Sequence, residues 1–487
     1  MPEERKTIGA RLSASPEVYR HTKFMARFEK AFPWLLAGGA ALVLLETYRK
    51  NTNDRAKANA DIKAALKNQE HQAEVLKEQI RQFDENAFKE RKAERRERYT
   101  KAVEQLGDEK APIRMGGVYT LVGLVDEWLE EENLSEPERL KEGQVIINNL
   151  CAYIRSPFTL ASYYEELSKD NPSPQGFYKD NQQEFYTDKA EFKAEADVRL
   201  SIMKEIHDRI QGPDKNTPGA WSDFEYDFSG STFFYPIDLT NSYYAKPINF
   251  SGSTYTSWAD FSGSTYKGWA YFNGSTYQRE TNFDGSIYKG RADFSGSTYK
   301  GWAYFNGSTY KGRAVFSDST YKGEAYFRNS TYKGEAYFRN STYQSKAIFN
   351  GSTYKGRTVF IGSIFYRDVS FGENNENGSS SCFTKYTPNF YQKNYYQKTL
   401  FGSINNNFTV DNDKGHPIYL NPEGIPLKCK FLTLEQKEYL EGKFQEIEKI
   451  NNKLFEVKDL KEKEELSKKL QALNEELHKW REEVTTV

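Results

Sequence analysis

Cysteine is scarce in this chain. Cys151, Cys382 and Cys429 are the only three among 487 residues. Being odd in number and far apart, they fit no disulfide framework and no zinc spacing, and are expected to be three reduced thiols. Histidine is nearly as rare. The five (His21, His71, His207, His416 and His478) are scattered. A phosphate-binding loop, Gly-x-Gly-x-x-Gly, His-Glu-x-x-His and Gly-x-Ser-x-Gly are all missing. The sequence therefore nominates no catalytic, cofactor-binding or metal-ligating residue, and a non-enzyme is expected. Excess charge of one sign is lacking too. The 68 Lys+Arg against 69 Asp+Glu remove any global argument for nucleic acid or an acidic substrate.

Long apolar runs are limited to one, Ala31 to Leu45. A spanning helix needs about 20 residues, with a range of about 17–25. Extending the run to Tyr48 reaches that range and places Trp34 and Tyr48 as interfacial aromatics. A single transmembrane helix is expected over 31–48, behind a basic segment 1–30. Basic residues stand on both sides (Arg20, Lys23, Arg27 and Lys30 before; Arg49, Lys50 and Arg55 after), so orientation is nearly tied.

Proline and glycine are absent from Asp54 to Leu106, which predicts a long helix over 49–106. Ile62, Leu66, Gln69, Ala73, Leu76, Ile80 and Phe83 alternate steps of four and three, an a/d seam for a parallel coiled coil. Arg91, Arg95, Arg96 and Arg98 interleave with Glu90, Glu94 and Glu97, a solvated helical face rather than a nucleic-acid stripe. A small all-α domain is expected over 107–215. Pro112 and Pro137 open two of its helices, 168–188 is a polar insertion, and Val198–Ile210 is helical again.

What the chain has in excess is aromatic side chain: 34 Tyr and 33 Phe. They follow a period of eleven. Phe228, Leu239, Phe250, Phe261, Phe272, Phe283, Phe294, Phe305, Phe316, Phe327, Phe338, Phe349, Phe360 and Phe371 recur without one insertion. Five residues after each but the last comes a second aromatic, as at Tyr266, Tyr288 and Tyr310. Ser stands two before every one of these, and Ala often stands two before the Phe. Such strictness signals a stacked array over 222–371. Residues two apart on an extended chain face the same way, so the small residue and the aromatic both point inward. Gly268, Gly301, Gly312 and Gly334 are expected at corners with unusual φ. Stacked coils would pair as strands about 4.8 Å apart.

These small-x-aromatic-x-x units resemble the pentapeptide-repeat proteins. The resemblance implies a right-handed four-sided β-helix. The departure from that pattern is one extra residue per pair of units, such as Trp258, Trp269, Trp302 or Arg313. Four sides then give a 22-residue coil with a bulge at alternate corners; a flatter two- or three-sided solenoid is the other option. The segments Arg98–Gly107, Ile113–Leu121 and Asn149–Arg155, with the apolar run before Tyr48-Arg49-Lys50, are similar to the helical domain and anchor of bacterial membrane-anchored members. That resemblance implies an inner-membrane protein with a cytoplasmic body; its members often have two spans near the N-terminus, whereas this sequence offers one, so a single-pass protein is expected. It implies an architecture and no reaction.

From Phe250 to Phe371 there are fifteen Lys+Arg and eight Asp+Glu. This sign opposes the acidic face with which some members of that family imitate DNA. A 22-residue coil would stack Lys267, Lys289, Lys311, Lys333 and Lys355 in one column, either facing an anionic partner or keeping the surface soluble. Tyr271, Tyr304, Tyr326 and Tyr337 are expected to be exposed, as a protein-binding face. The stretch 372–432 breaks the period and is expected to cap the array irregularly. Helical coiled coil should follow over 433–487, opening at the capping box Thr433–Gln436. Its heptads are Leu440, Phe444, Ile447, Asn451, Leu454 and Leu466, Leu470, Leu473, Leu477, Trp480, in one helix or a hairpin, for self-association or a helical partner. The functional expectation is a membrane-tethered, non-catalytic scaffold with an unidentified protein partner. The alternative is an anion- or nucleic-acid-binding module using the lysine column, with nucleic acid the less favoured partner.

Overall fold

The computed structural model describes residues 55–374, 378–457 and 460–486. The apolar run and the span expected over 31–48 lie outside the described residues. Among the described residues, no helix is long and apolar enough to cross a membrane. Two compact units divide the chain, Met1–Glu94 and Arg95–Val487.

The first unit contains, among its described residues, the N-terminal part of helix α1 (Arg55–Leu106). On it Leu66 and Phe83 of the predicted seam are exposed, while Ile62, Ala73, Leu76 and Ile80 are partly buried.

The second unit opens with helices α2 (Ala111–Leu129) and α3 (Glu136–Arg155), a short helix α4 (Tyr164–Leu167) and α5 (Gln182–Ile210). Proline in the first turn starts α2 and α3, where its missing N–H costs nothing. Val118, Leu121, Val122 and Val125 of α2 are buried against Ile146, Ile147, Leu150 and Ile154 of α3. Val145, beside Ile146 on α3, is exposed. Helix α5 starts inside the stretch expected to be an insertion. The Asn181 side chain accepts from the Glu184 N–H, and this cap fixes the start well before Val198.

The repeat forms a parallel β-solenoid. Four walls of two-residue strands run its length: Tyr226–Asp227 to Thr358–Val359; Thr232–Phe233 through Ile364–Phe365 to Lys430–Phe431; Ile237–Asp238 to Val369–Ser370; and Tyr243–Tyr244 to Cys382–Phe383. They are the first to fourth walls below. Strand partners lie 22 residues apart, as Tyr266 with Tyr288 and Ala270 with Ala292. Four sides are therefore observed, and the extra residue sits at alternate corners. The corner Asn273-Gly274 has two residues and Lys267-Gly268-Trp269 has three, with Trp269 51% exposed.

The interior is aromatic and stacked. Phe272, Phe294, Phe316 and Phe338 succeed one another at 5.0–5.1 Å between ring centroids. Tyr266, Tyr288, Tyr310 and Tyr332 do so at 4.7–4.8 Å. Neighbouring columns meet edge to face, the other favourable arrangement of ring quadrupoles. The inward serine is explained by hydrogen bonding. Ser308 Oγ donates to the Phe283 carbonyl at 2.9 Å and accepts from the Ser286 N–H at 3.3 Å. This bridge repeats along the columns from Ser253 to Ser363, so these serine hydroxyls each satisfy a backbone group of the coil before.

The two glycine sets differ from expectation. Gly268, Gly301, Gly312 and Gly334 do not have positive φ. A Cβ on Gly312 would lie 2.3 Å from the Gly290 carbonyl oxygen, so close stacking of coils excludes a side chain. Positive φ belongs to the other corner, at Gly274, Gly296 and Gly307, and is also adopted there by Asn241, Asp318, Asn329 and Asn340.

The irregular stretch does more than cap. Phe383, Phe390, Phe401 and Phe408 stack on Tyr354, Phe360, Phe365 and Phe371, adding a further coil to all four interior columns. Ser381 and Thr399 take the serine position, donating to Phe349 and Phe360. Loops between these residues hide the period from the sequence while leaving the inward pattern intact.

Helices α6 (Leu434–Glu456) and α7 (Leu460–Thr485) form a hairpin. The expected capping box is formed, with Gln436 N donating to Thr433 Oγ1 at 3.2 Å and Thr433 N to Gln436 Oε1 at 3.0 Å. The heptad residues pack within the chain. Ile447 and Leu473 meet between the helices, while Leu440, Phe444, Leu477 and Trp480 pack with Ile364 and Leu400 of the second wall. The hairpin lies along that wall, and Lys463 at its turn end sits 4.1 Å over the Tyr163 ring beside α4.

Candidate functional site

The five column lysines stack as expected. Each follows a fourth-wall tyrosine, and its N–H is bonded to the tyrosine carbonyl one coil earlier: Lys289 to Tyr266, Lys311 to Tyr288, Lys333 to Tyr310 and Lys355 to Tyr332, all at 2.7 Å. Lys267, Lys311, Lys333 and Lys355 are exposed. Lys289 is half-buried, its ammonium 5.3 Å over the Tyr243 ring. This corner between the fourth and first walls is a straight basic edge.

The four tyrosines do not form one face. Tyr304 and Tyr326 belong to the third wall and stack at 5.1 Å, whereas Tyr271 and Tyr337 belong to the first wall. Asp293 and Val315 separate the first-wall pair. A period of eleven moves each successive copy to the opposite wall, and only a spacing of 22 returns it to the same one. All four are half-buried rather than fully exposed. Arg328 lies 4.8 Å over Tyr326, and Arg313 and Arg339 lie 5.4 and 5.2 Å over Tyr337. Tyr326 donates to Glu324, and burial, then this carboxylate, raise its phenol to about 12.

A second set of lysines escaped sequence reasoning. Lys300 and Lys322 occupy the same triplet position on the opposite corner, following second-wall tyrosines, and they lie beneath the hairpin. Burial, then the adjacent Lys300 charge, push the Lys322 ammonium down to about 8; Lys300 is lowered by burial. A signal existed. The outward threonine ladder of the second wall (Thr276, Thr298, Thr320, Thr342) turns apolar at Ile364 and Leu400. An apolar outward residue marks a covered wall, and the amphipathic C-terminal helices were the available cover.

Elsewhere, Arg199 is buried and anchors the helical domain. It donates to Glu195 at 2.7 Å, to the Ile154 carbonyl at 2.8 Å and to Ser156 O at 2.9 Å. These bonds join α5 to the end of α3, and the guanidinium lies 5.6 Å over the Phe234 ring at the entry of the solenoid. All three cysteines are buried and free, with Cys151 and Cys429 pushed up to about 12 by desolvation. No family model, no curated protein and no solved structure matches this chain.

Proposed function

We propose that the protein is a non-catalytic interaction scaffold of the pentapeptide-repeat kind, held at a membrane through residues 31–48. In this reading it presents the edge Lys267–Lys289–Lys311–Lys333–Lys355 to an acidic protein surface. The observation that carries the proposal is the register of five lysines, one on each successive coil at the same corner, whose backbones stack without interruption. Like charges stacked in register repel, and an anionic partner relieves the repulsion. The rigid aromatic interior supports this role, because a preorganised surface loses little freedom on binding.

The test is cross-linking and mass spectrometry on the full chain in mild detergent, set beside a variant with all five lysines changed to Gln. The expected outcome is a protein cross-linked to the solenoid in the native chain and absent from the variant. Cross-links confined to a second copy, identical in both, would overturn the reading. Nucleic-acid binding that falls steeply with salt and disappears in the variant would move the assignment to the polyanion alternative.

A further inference from the structure

The hairpin and the second wall enclose a cavity of ≈ 340 Å³. At about 30 Å³ per water this is room for on the order of ten waters, and it reaches the lower end of small-ligand sites at about 300 Å³. Its floor is threonine hydroxyl, from Thr298 and Thr320; much of its roof is apolar, from Phe444 and Leu477.

Three cations line this space: Lys300, Lys322 and Arg481. Arg481 is only 6% exposed, and its Nε and Nη2 have no hydrogen-bond partner. The carboxylate paired with it, Asp318, stands 3.8 Å from Nη2, beyond hydrogen-bond reach. Lys300 Nζ reaches Asn451 Oδ1 at 3.5 Å, the outer limit of a bond. Glu448 and Glu165 influence Lys322 and Lys300 electrostatically without forming an ion pair with them, and His478 is turned toward Glu482 at 3.6 Å. Buried guanidinium N–H groups are normally satisfied, and three cations against one carboxylate leave the lining of the cavity in positive excess.

We propose that this cavity binds a phosphate dianion, free or as the head of a small monoester. The planar fork of Arg481 and the point charges of Lys300 and Lys322 would surround the phosphate oxygens. Phe444 and Leu477 would lie against any organic part. Guanidinium suits phosphate geometry in two-pronged bonds, and the threonine hydroxyls add neutral donors. The depressed lysine ammoniums agree with this assignment, since a dianion would restore their affinity for protons. The site stands on the opposite corner from the exposed lysine edge, so it survives or fails independently of the scaffold reading.

The experiment is isothermal titration calorimetry of the full chain with phenyl phosphate, inorganic phosphate and succinate. Saturable binding of a phosphate is expected, weakened about tenfold or more by Lys322→Gln and by Arg481→Gln, and unchanged by Lys311→Gln on the exposed edge. Near pH 8 (about the depressed value of Lys322) binding should take up protons, read from two buffers of different ionisation enthalpy. That uptake should shrink in Lys322→Gln, a change that a merely structural lysine would not produce. Tighter binding of phenyl phosphate than of inorganic phosphate identifies a monoester as the occupant, and equal binding identifies the free anion. No saturable binding of either phosphate, tighter binding of succinate, or equal weakening by Lys311→Gln would overturn the proposal.

Discussion

Lys311 and Lys322 stand eleven residues apart in the same Tyr-Lys-Gly triplet, yet one is a solvated surface charge and the other lies under a helical hairpin. Their backbones are equivalent. The Lys311 N–H bonds the Tyr288 carbonyl at 2.7 Å, and the Lys322 N–H bonds the Tyr299 carbonyl at 2.8 Å. What differs is the cover on the outer face. In a solenoid the repeat governs the interior and the stacking, because each coil meets only its neighbours. Electrostatic character belongs to whatever packs on the wall. Two identical triplets can thus stand one on an open edge and the other on the floor of a cavity under the hairpin.

The largest expected effect separates the interior from both corners. Burial holds the phenols of Tyr277, Tyr299, Tyr321 and their column neighbours well above the usual tyrosine range. The folded state keeps protons that the unfolded chain releases above pH ~10, so stability falls as pH rises past that point. Each tyrosine contributes a slope of about 1.4 kcal/mol per pH unit. Circular dichroism should show steep alkaline unfolding, with the interior phenolate absorbance appearing only as the structure is lost. Interior tyrosines that titrate while the dichroism is unchanged would contradict the sealed interior.

Next comes a hole in the stack. Phe305→Ala removes a ring in contact with Phe283 and Phe327 at 5.0 Å on either side, and should cost about 3–5 kcal/mol in urea unfolding. Gly312→Ala and Gly307→Ala distinguish the two kinds of corner. The first pushes a methyl group to 2.3 Å from the Gly290 carbonyl, for about 1–3 kcal/mol; the second asks Ala to hold φ +62°, for about 1–2 kcal/mol. Equal melting temperatures for Gly312→Ala and the native chain would mean that the coils are less tightly stacked than described.

The smallest effects test the lysine pair directly. The folded pKa of Lys322 lies below its unfolded value, so the unfolded chain binds more protons between pH ~8 and ~10.4 and stability rises with pH across that window. Lys322→Gln should remove that rise and stabilise the protein by about 1–2 kcal/mol at neutral pH. Lys311→Gln should stay within about 0.5 kcal/mol and leave the pH dependence unchanged. Thermal melts across this range check both.

Much of the solenoid was legible in advance. The thirteen unbroken steps of eleven, the serine two before each second aromatic and the small residues facing inward specify a coil whose contacts are all to the next copy. The further coil through Phe383, Phe390, Phe401 and Phe408 was not legible, because insertions destroy a period without disturbing the inward stack. The tyrosine face failed for a different reason. A period of eleven on a coil of 22 sends alternate copies to opposite walls, so Tyr304 and Tyr337 were never neighbours. The exposed lysine edge was found because its members recur at the full coil length.

The amino-acid sequence by itself determined the coil, its aromatic interior and its serine bridges, since these depend on local geometry repeated in register. Tertiary structure alone decided which wall is covered. The heptads of α6 and α7 state only that an apolar stripe must be buried, and many surfaces satisfy that demand. The hairpin's place on the second wall comes from long-range packing against Ile364 and Leu400, and with it Lys300, Lys322 and Arg481 are enclosed around one cavity.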